Sequence, residues 1–390
     1  MRKPRPDGTG LYPGCVRIFI SAGEASGDLY ASRVVEAFRA RHKDADFWGC
    51  AGPRMQAAGV RAIVDSRSIS VVGLVEVVAH IPRIYREFRK LKRAIDAEKP
   101  DVAVLTDSPD FHFRLARFLH RRRVPVVYLI APQAWAWRQG RVRTMRANID
   151  RLLCIFPFEE EFFNSHGVPA TYIGHPLARI VKPSMAREEF LVRFNLPKDK
   201  RLVVLLPGSR HGEVERHLGP LLDATRRLAG RDLVFVMALS GGFGNTFSER
   251  IRAASIQLIE GVTWDALAHA DLALAASGTV TMEAAMLGCP LVTFYKVNAL
   301  TWILGRWLVR APFLSMVNLV AGRKIAPELI QNQMTGENIA REAIHLLDDP
   351  AAYESMKTGL KEVTAKLESE RDPMEVAAEW VERVYSKGRQ

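Results

Sequence analysis

The segment Arg201–Glu215, in the middle of the chain, constrains the fold more than any other stretch. Leu202–Leu206 is a short, uninterrupted apolar run that ends at Pro207–Gly208, a pattern typical of a buried parallel strand leading into a glycine turn. Ser209 then stands where the N-cap of a following helix is expected, and Arg210 adds a positive charge beside it. Unpaired backbone N–H groups at such a helix start bind anions. The segment therefore predicts the first strand of a Rossmann-type unit, with an anion site, that begins at mid-chain.

A second start of the same kind lies near the N-terminus. Arg17–Ser21 predicts a strand, Ala22–Asp28 predicts a loop, and an amphipathic helix is expected over about Leu29–Ala40. Strands and helices alternate after both starts, which indicates parallel α/β sheets. Ligands bind at the carboxyl ends of the strands in such sheets. We therefore predict two Rossmann-like, doubly wound α/β domains whose loops face a central cleft.

The net charge of +12 is distributed unevenly along the 390 residues. Residues 1–150 contain 27 Lys and Arg against 15 Asp and Glu, whereas the remainder contains 28 of each kind. A basic first part indicates an anionic partner, which could be a nucleic acid, an anionic membrane surface or a phosphorylated substrate. We favour the last two, because the sequence carries no signature of a nucleic-acid-binding module.

The cysteines indicate a reducing compartment. Cys15, Cys50, Cys154 and Cys289 lie far apart without metal-site spacing, and we interpret them as buried small residues. Residues 1–14 are expected to be a disordered lead-in without a signal peptide, and no run reaches the ~20 apolar residues of a membrane span.

Two apolar segments are interrupted or followed by basic residues. Ile69–Ile81 is either a core element or an exposed patch that accepts a lipid chain, since six Arg and Lys follow it within residues 83–93. Val297–Leu314, with its patch at Leu300–Leu314, is either an interfacial amphipathic helix or core.

Carboxylates and tryptophans follow two further strands of the first half. Pro100–Thr106 predicts a strand that ends at Asp107, which is either a catalytic carboxylate or part of a turn in which Asp110 caps a helix. The loop Ala131–Gly140 carries two tryptophans and Arg138, and is either a binding loop or core packing with a solvated basic face.

A second candidate anion site follows a strand of the second half. Ser277, Gly278 and Thr279 open a helix after an apolar run, so its first N–H groups are free to bind an anion. Glu283 lies one turn further and could accept hydrogen bonds from a ribose diol. Together with Gly208–Arg210 this site predicts a pocket for a nucleotide diphosphate.

Eight collinear motifs resemble those of the lipid-A-disaccharide synthase family over about Val16–Val384. They are SAGEASGD (Ser21–Asp28), DSPDF (Asp107–Phe111), PQAWAWRQGR (Pro132–Arg141), FPFEEEFF (Phe156–Phe163), GHPLA (Gly174–Ala178), LPGSR (Leu206–Arg210), ASGTVTMEA (Ala276–Ala284) and NLVAGR (Asn318–Arg323). The resemblance implies the glycosyltransferase-B (GT-B) fold. We place an N-terminal lipid-acceptor domain at 15–178, a UDP-sugar domain at 179–365, and a C-terminal helix at 366–390 that returns to the first domain.

The resemblance implies an inverting transfer that needs neither metal nor cofactor, within lipid A (lipopolysaccharide) biosynthesis of Gram-negative bacteria. UDP-2,3-diacylglucosamine would condense with 2,3-diacylglucosamine 1-phosphate to give the β-1,6-linked disaccharide 1-phosphate and UDP. The protein is then expected in the cytoplasm, peripherally attached to the inner membrane, with no nucleic-acid partner. A homodimer is left open.

The resemblance also implies roles for individual residues. Asp107 matches the general base, Glu24 is assigned to acceptor positioning, and Asn318 is carried over as a further site residue. The predicted UDP-sugar contacts are Gly208, Ser209, Arg210, Ser277, Gly278, Thr279, Glu283 and Gln331. The predicted contacts on the acceptor and lipid side are Ser26, Asp28, Gln133, Trp135 and Arg138.

Two positions depart from the family pattern, and two other functions remain as alternatives. His112 stands where asparagine is common, beside the expected base, and Arg179 stands where aspartate is common. A UDP-N-acetylglucosamine 2-epimerase would need a similar nucleotide pocket but no apolar, basic acceptor domain. A non-catalytic nucleotide-binding or membrane-surface module would leave Glu24, Asp107 and Asn318 without a role.

Overall fold

The structure, a computed structural model, describes residues 15–69, 74–136, 139–239, 244–298, 302 and 311–387. The predictions for the lead-in 1–14, for Arg138, for part of Ile69–Ile81 and for most of Leu300–Leu314 lie outside the described residues. Within the described ranges, no helix is long and apolar enough to cross a membrane.

The chain divides into two compact units. Unit 1 is the chain up to Pro176 together with the segment from Ser369 onward, and unit 2 is Leu177–Glu368. The predicted boundaries, after residues 178 and 365, differ from these by a few residues.

The strands and helices of both units are named here in chain order. The strands are β1 (Arg17–Ala22), β2 (Asp46–Ala51), β3 (Arg61–Asp65), β4 (Val102–Thr106), β5 (Val126–Leu129), β6 (Arg151–Cys154), β7 (Ala170–Tyr172), β8 (Arg201–Leu206), β9 (Leu233–Leu239), β10 (Gln257–Glu260), β11 (Leu272–Ala276), β12 (Leu291–Tyr295) and β13 (Glu328–Ile330). The helices are α1 (Ala25–Arg41), α2 (Pro53–Ala57), α3 (Leu74–Glu98), α4 (Pro109–His120), α5 (Arg141–Asn148), α6 (Pro157–Ser165), α7 (Leu177–Ile180), α8 (Arg187–Arg193), α9 (His211–Arg227), α10 (Gly244–Ala253), α11 (Thr263–His269), α12 (Thr279–Met286), α13 (Met316–Ala321), α14 (Gly336–Asp348), α15 (Pro350–Leu367) and α16 (Pro373–Lys387). Short 3-10 helices lie at Ser66–Ser68 and Gln331–Gln333.

Unit 1 is built on a parallel sheet with the strand order β3-β2-β1-β4-β5-β6-β7. Its central strands are buried on both faces, which explains their continuous apolar sequences. Trp48 and Phe19 pack edge to face with ring centroids 5.2 Å apart in this core.

The C-terminal helix α16 completes unit 1, as the sequence predicted. His42, at the end of α1, lies 2.9 Å from Glu382 on α16. The guanidinium of Arg151 lies over the ring of Trp380 at 4.1 Å from the ring centroid. These contacts place the last helix against β6 and α1 of the first unit.

Unit 2 is built on a parallel sheet with the strand order β10-β9-β8-β11-β12-β13. Its strands β8 and β11 are almost wholly buried, with the exposed end residue Arg201 as the exception. Both units are thus doubly wound α/β sheets, which confirms the predicted fold class.

The order of the strands shows between which two strand ends of each sheet a ligand can bind. In unit 1 the order in which the chain adds strands to the sheet reverses between the parallel strands β1 and β4, and Ala22 pairs with Thr106. In unit 2 the reversal lies between β8 and β11, and Leu206 pairs with Ala275. At such switch points the two neighbouring strand ends leave a crevice between their loops. Four of the eight motifs, SAGEASGD, DSPDF, LPGSR and ASGTVTMEA, lie at the carboxyl ends of these four strands.

Candidate functional site

Asp107 follows β4 in a turn with an unusual backbone. Asp107 and Ser108 both have positive φ angles, 55° and 33°, although neither is glycine. Each residue in this left-handed region costs about 1–3 kcal/mol, which other contacts must offset. The turn starts helix α4 without a side-chain capping bond, and Asp110 instead pairs with Arg141 at 2.5 Å. The Asp110 carboxylate thus bonds to the first residue of α5.

The Asp107 carboxylate reaches across the β1–β4 switch point to the loop after β1. Oδ1 accepts a hydrogen bond from Gly23 N at 2.8 Å, and Oδ2 accepts one from Glu24 N at 3.0 Å. Burial raises the pKa of Asp107 to about 7, although these two N–H groups favour the ionised form. The carboxylate is consequently poised to bind and release a proton near neutral pH.

Two glycines make this approach feasible. A Cβ on Gly23 would lie 2.2 Å from Ser108 Oγ, and a Cβ on Gly27 would lie 1.8 Å from Asp107 Oδ2. Both distances are far below a van der Waals contact. The glycines of SAGEASGD therefore leave the space that the carboxylate occupies.

Buried side chains hold the turn from behind through the carbonyl of Asp107. That carbonyl accepts hydrogen bonds from Tyr128 Oη at 2.6 Å and from His112 Nδ1 at 2.9 Å. Burial lowers the pKa of His112 to about 4, so its ring is neutral. Because Nδ1 must donate to a carbonyl, Nε2 accepts from Ser21 Oγ at 2.8 Å. His112 thus bonds to the carbonyl side of the turn and fastens it to β1.

The predicted acceptor-side residues divide into two groups. Glu24 and Ser26 are exposed at the start of α1, next to Asp107, and Gln133 is exposed on its loop. Asp28 is buried, and its carboxylate accepts from the backbone N–H groups of Gly52, Arg54 and Met55 at 2.9–3.1 Å. The fold therefore uses Asp28 to cap α2, and its contact with an acceptor stays a prediction.

Trp135 is bound to a buried carboxyl group. Its Nε1 donates to Glu159 Oε1 at 3.0 Å, and its ring packs edge to face on Phe158. Burial raises the pKa of Glu159 to about 8. The structure therefore favours the core interpretation for Trp135.

The glycine turn after β8 gathers hydrogen-bond donors around one carboxylate. Gly208 has a φ of +126°, which favours glycine. The helix N-cap is Arg210 rather than the predicted Ser209. Glu213 Oε2 accepts from Ser209 N at 3.2 Å, and Glu213 Oε1 lies 3.4 Å from Arg210 Nη1.

The loop after β11 opens beside that turn, because β8 and β11 are neighbours in the sheet. Gly278 and Thr279 are exposed, whereas Ser277 Oγ donates to the carbonyl of Leu314 at 3.1 Å. Glu283 Oε2 accepts from Trp264 Nε1 at 3.0 Å, and burial raises the pKa of Glu283. The two predicted phosphate loops are therefore brought together.

Two further predicted site residues are engaged by the fold. Asn318 is fully buried and uses its whole amide: Nδ2 donates to Ala326 O and Glu328 Oε1, and Oδ1 accepts from Ile325 N and Ala326 N, all at 2.8–2.9 Å. The amide of Gln331 bonds both backbone groups of Val297. Their direct contact with substrate stays a prediction.

The sequence did not identify several residues that shape the two turns. Tyr128 and Tyr295 gave no signal, because each reaches a turn of a distant segment. His217 donates from Nδ1 to the carbonyl of Pro207 at 2.6 Å and accepts at Nε2 from Lys296 N at 3.0 Å, so it fastens the glycine turn to the strand end after β12. Only Glu213 gave a local signal, as an acidic residue in the first turn of α9.

Within the part of the chain that the structure describes, no group of three or more His, Cys, Asp or Glu side chains is placed to hold a metal ion. Independence from metals stays a prediction.

Comparison with solved structures identifies the fold. A UDP-GlcNAc 2-epimerase from Neisseria meningitidis bound to UDP-GlcNAc superposes with a TM-score of 0.64 over 95% of this chain and 100% of that chain, at 13% identity. The glycosyltransferase of kitacinnamycin gives a TM-score of 0.64 over 96% and 100%, also at 13% identity. At such identity the likeness shows the fold alone, which is the GT-B fold.

Comparison at the sequence level identifies the family. A lipid-A-disaccharide synthase of Solibacter usitatus is 62% identical over 353 residues, covering 90% of this chain and 93% of that protein. The synthase of Geobacter sulfurreducens is 41% identical over 356 residues, with coverages of 90% and 93%. The family model for lipid-A-disaccharide synthetase matches residues 18–380. This chain therefore belongs to the lipid-A-disaccharide synthetase family, a family of glycosyltransferases in lipid A biosynthesis.

Proposed function

We propose that the protein transfers diacylglucosamine from UDP-2,3-diacylglucosamine to the 6-hydroxyl of 2,3-diacylglucosamine 1-phosphate. The products are the β-1,6-linked disaccharide 1-phosphate and UDP. Family membership supports the reaction type. The observation that carries the proposal is the Asp107 carboxylate, which lies at a switch point with a pKa raised to about 7.

Asp107 is the general base in this proposal. The ionised carboxylate accepts the proton of the acceptor hydroxyl as its oxygen bonds to the anomeric carbon, and the bond to UDP breaks. A base with a pKa near neutrality is ionised often enough to act and basic enough to take the proton. Glu24, exposed beside it, positions the acceptor sugar.

The departing UDP carries the negative charge that must be stabilised. Arg210 and the N-terminal N–H groups of α9 and α12 supply that stabilisation in our proposal, without a metal ion. The neighbouring positions of the parallel strands β8 and β11 support this role, because the loops that follow them lie side by side at the carboxyl ends of the strands. Glu283 binds the ribose hydroxyls.

Acylated substrates require a membrane surface nearby. Helix α3 exposes Ile81 and Tyr85, with 53% and 60% of their surfaces accessible, among the basic residues Arg83, Arg86 and Arg89. Apolar side chains among basic ones are typical of a peripheral contact with anionic lipid. We propose that α3 attaches the enzyme to the cytoplasmic face of the inner membrane.

The test is a direct assay in detergent with UDP-diacylglucosamine, labelled diacylglucosamine 1-phosphate and a chelator. Wild type is expected to form the disaccharide, and Asp107→Ala is expected to lose it while still binding UDP. Asp110→Asn is the matched control, because it neutralises the other, exposed carboxylate of DSPDF. Wild-type protein that forms no disaccharide would contradict the reaction. An active Asp107→Ala variant would contradict only the role of the base.

A further inference from the structure

The carboxylate of Glu213 lies among the groups that we assign to the UDP diphosphate. Its Oε2 is 3.2 Å from Ser209 N, and its Oε1 is 3.4 Å from Arg210 Nη1 and 3.3 Å from Tyr295 Oη. Only 13% of the Glu213 side chain is exposed. A Cβ on Gly208 would lie 2.7 Å from Oε2, so glycine lets the carboxylate sit directly against the turn.

These contacts are long for charged hydrogen bonds. Charge-assisted N–H···O⁻ bonds are usually about 2.7–2.9 Å, so the donors are engaged without being tightly bound. A helix start and a guanidinium attract any anion, and here the chain supplies one of its own. A diphosphate entering the same loop would meet both the donors and a competing negative charge.

We propose that Glu213 is an internal anion that occupies the diphosphate donors between turnovers. When the sugar nucleotide binds, its phosphates take over Ser209 N and Arg210, while Tyr295 on the end of β12 keeps the displaced carboxylate close. As UDP leaves, the carboxylate returns to the donors. Glu213 therefore weakens UDP binding and speeds product release. This inference rests on the proposed function, because it assumes that the diphosphate binds at Gly208–Arg210.

The alternative role of Glu213 is to hold the loop in a shape that binds UDP. The two roles predict opposite signs for the isosteric variant Glu213→Gln. The amide keeps an oxygen for the same donors but carries no charge. An internal competitor predicts tighter UDP binding, whereas a loop-holding residue predicts weaker binding.

Calorimetry gives the Kd of UDP for the whole chain, and stopped-flow release gives its dissociation rate. Together they show whether Glu213→Gln tightens or weakens UDP binding. We expect Glu213→Gln to lower the Kd of UDP by roughly fivefold, mainly through slower dissociation, since a partly exposed charge pair has an effect of this order. Uridine, which lacks phosphate, should bind both proteins equally. Glu215→Gln is the matched control, because it removes an exposed charge from the same helix turn.

Arg210→Ala separates the failure of this inference from the failure of the donor site. If Arg210→Ala weakens UDP binding but Glu213→Gln leaves it unchanged or weaker, the inference alone is wrong. If Arg210→Ala leaves UDP binding unchanged, the diphosphate binds elsewhere, and both this inference and the assignment of the diphosphate to Gly208–Arg210 are wrong. A gain for Glu213→Gln that uridine shares would also overturn the inference. Thermal melting of each variant verifies that it is folded.

Discussion

Replacing Gly27 by alanine tests whether the position of the Asp107 carboxylate controls the reaction. Gly27 lies in α1 and is not expected to touch either substrate. A Cβ at this position would lie 1.8 Å from Asp107 Oδ2, 2.8 Å from Asp107 Cγ and 3.2 Å from Thr106 Cγ2. The new methyl group therefore collides with the proposed base itself.

The expected loss of kcat follows from the distance by which a Cβ at position 27 would overlap the Asp107 carboxylate. Nonbonded carbon contacts need about 3.5 Å, so the carboxylate or the helix must move by roughly 1.5 Å. A misplacement of about 1 Å can reduce a catalytic rate about 100-fold, which is the loss we expect in kcat. Overpacking costs about 1–3 kcal/mol, partly offset by the ~1 kcal/mol gain of alanine over glycine in a helix. The melting temperature should therefore fall by only a few degrees.

The assay compares initial rates of disaccharide formation with thermal melting and UDP affinity. Gly219→Ala is the matched control, because Gly219 also lies in a helix, α9, and its Cβ would meet nothing within 4 Å. We expect this control to keep the wild-type rate and Gly27→Ala to keep UDP binding. A Gly27→Ala rate within threefold of wild type would refute the claim that the carboxylate must sit where it does.

Three further outcomes follow from the contacts of Asp107 and Asn318. The value of kcat/KM should rise about tenfold per pH unit below pH 7 and level off above it, because the proposed base, with a pKa of about 7, must be ionised; a profile flat between pH 5 and 8 would contradict this. Folding stability has the opposite trend, since the folded state holds the Asp107 proton more tightly and stability falls as pH rises from about 4 through 7. Asn318→Ala should lower the free energy of unfolding by about 3–5 kcal/mol, because it leaves backbone groups of half-buried Ile325 and buried Ala326 without partners; urea unfolding that shows unchanged stability but lost activity would instead indicate a direct role in the reaction.

The fold could be predicted where local sequence and burial agree. Strands β1, β4, β8 and β11 are buried on both faces, so each is an apolar run that ends in turn residues. Strands β3 and β13, at the edges of the two sheets, carry no such pattern. β3 is partly exposed and has charged residues at both ends, and β13 has only three residues. Such strands are specified by their neighbour in the sheet rather than by their own pattern.

The site could be predicted only as far as residue types and strand ends reveal it. The loops at both switch points were expected, because they follow the central strands. The hydrogen-bond partners of individual side chains could not be predicted. Asp28 and Asn318, for example, bind backbone N–H groups whose positions depend on the folded chain. A motif shows which residues matter, and it does not separate a residue that touches substrate from one that holds a loop.

The two switch points have one feature in common, a neutral histidine that donates a hydrogen bond to the carbonyl of the residue that follows a strand. His112 donates to the carbonyl of Asp107, and His217 donates to that of Pro207, and burial lowers the pKa of both rings. A neutral imidazole can donate on one side and accept on the other, so it links two buried segments without burying a charge. In unit 1 the neutrality has a chemical consequence, because His112 Nδ1 lies only 3.8 Å from Asp107 Oδ1. A cationic ring at that distance would favour the ionised carboxylate and lower the pKa of the base. A histidine can therefore occupy this position beside the proposed base because, as buried here, it remains an uncharged donor and acceptor.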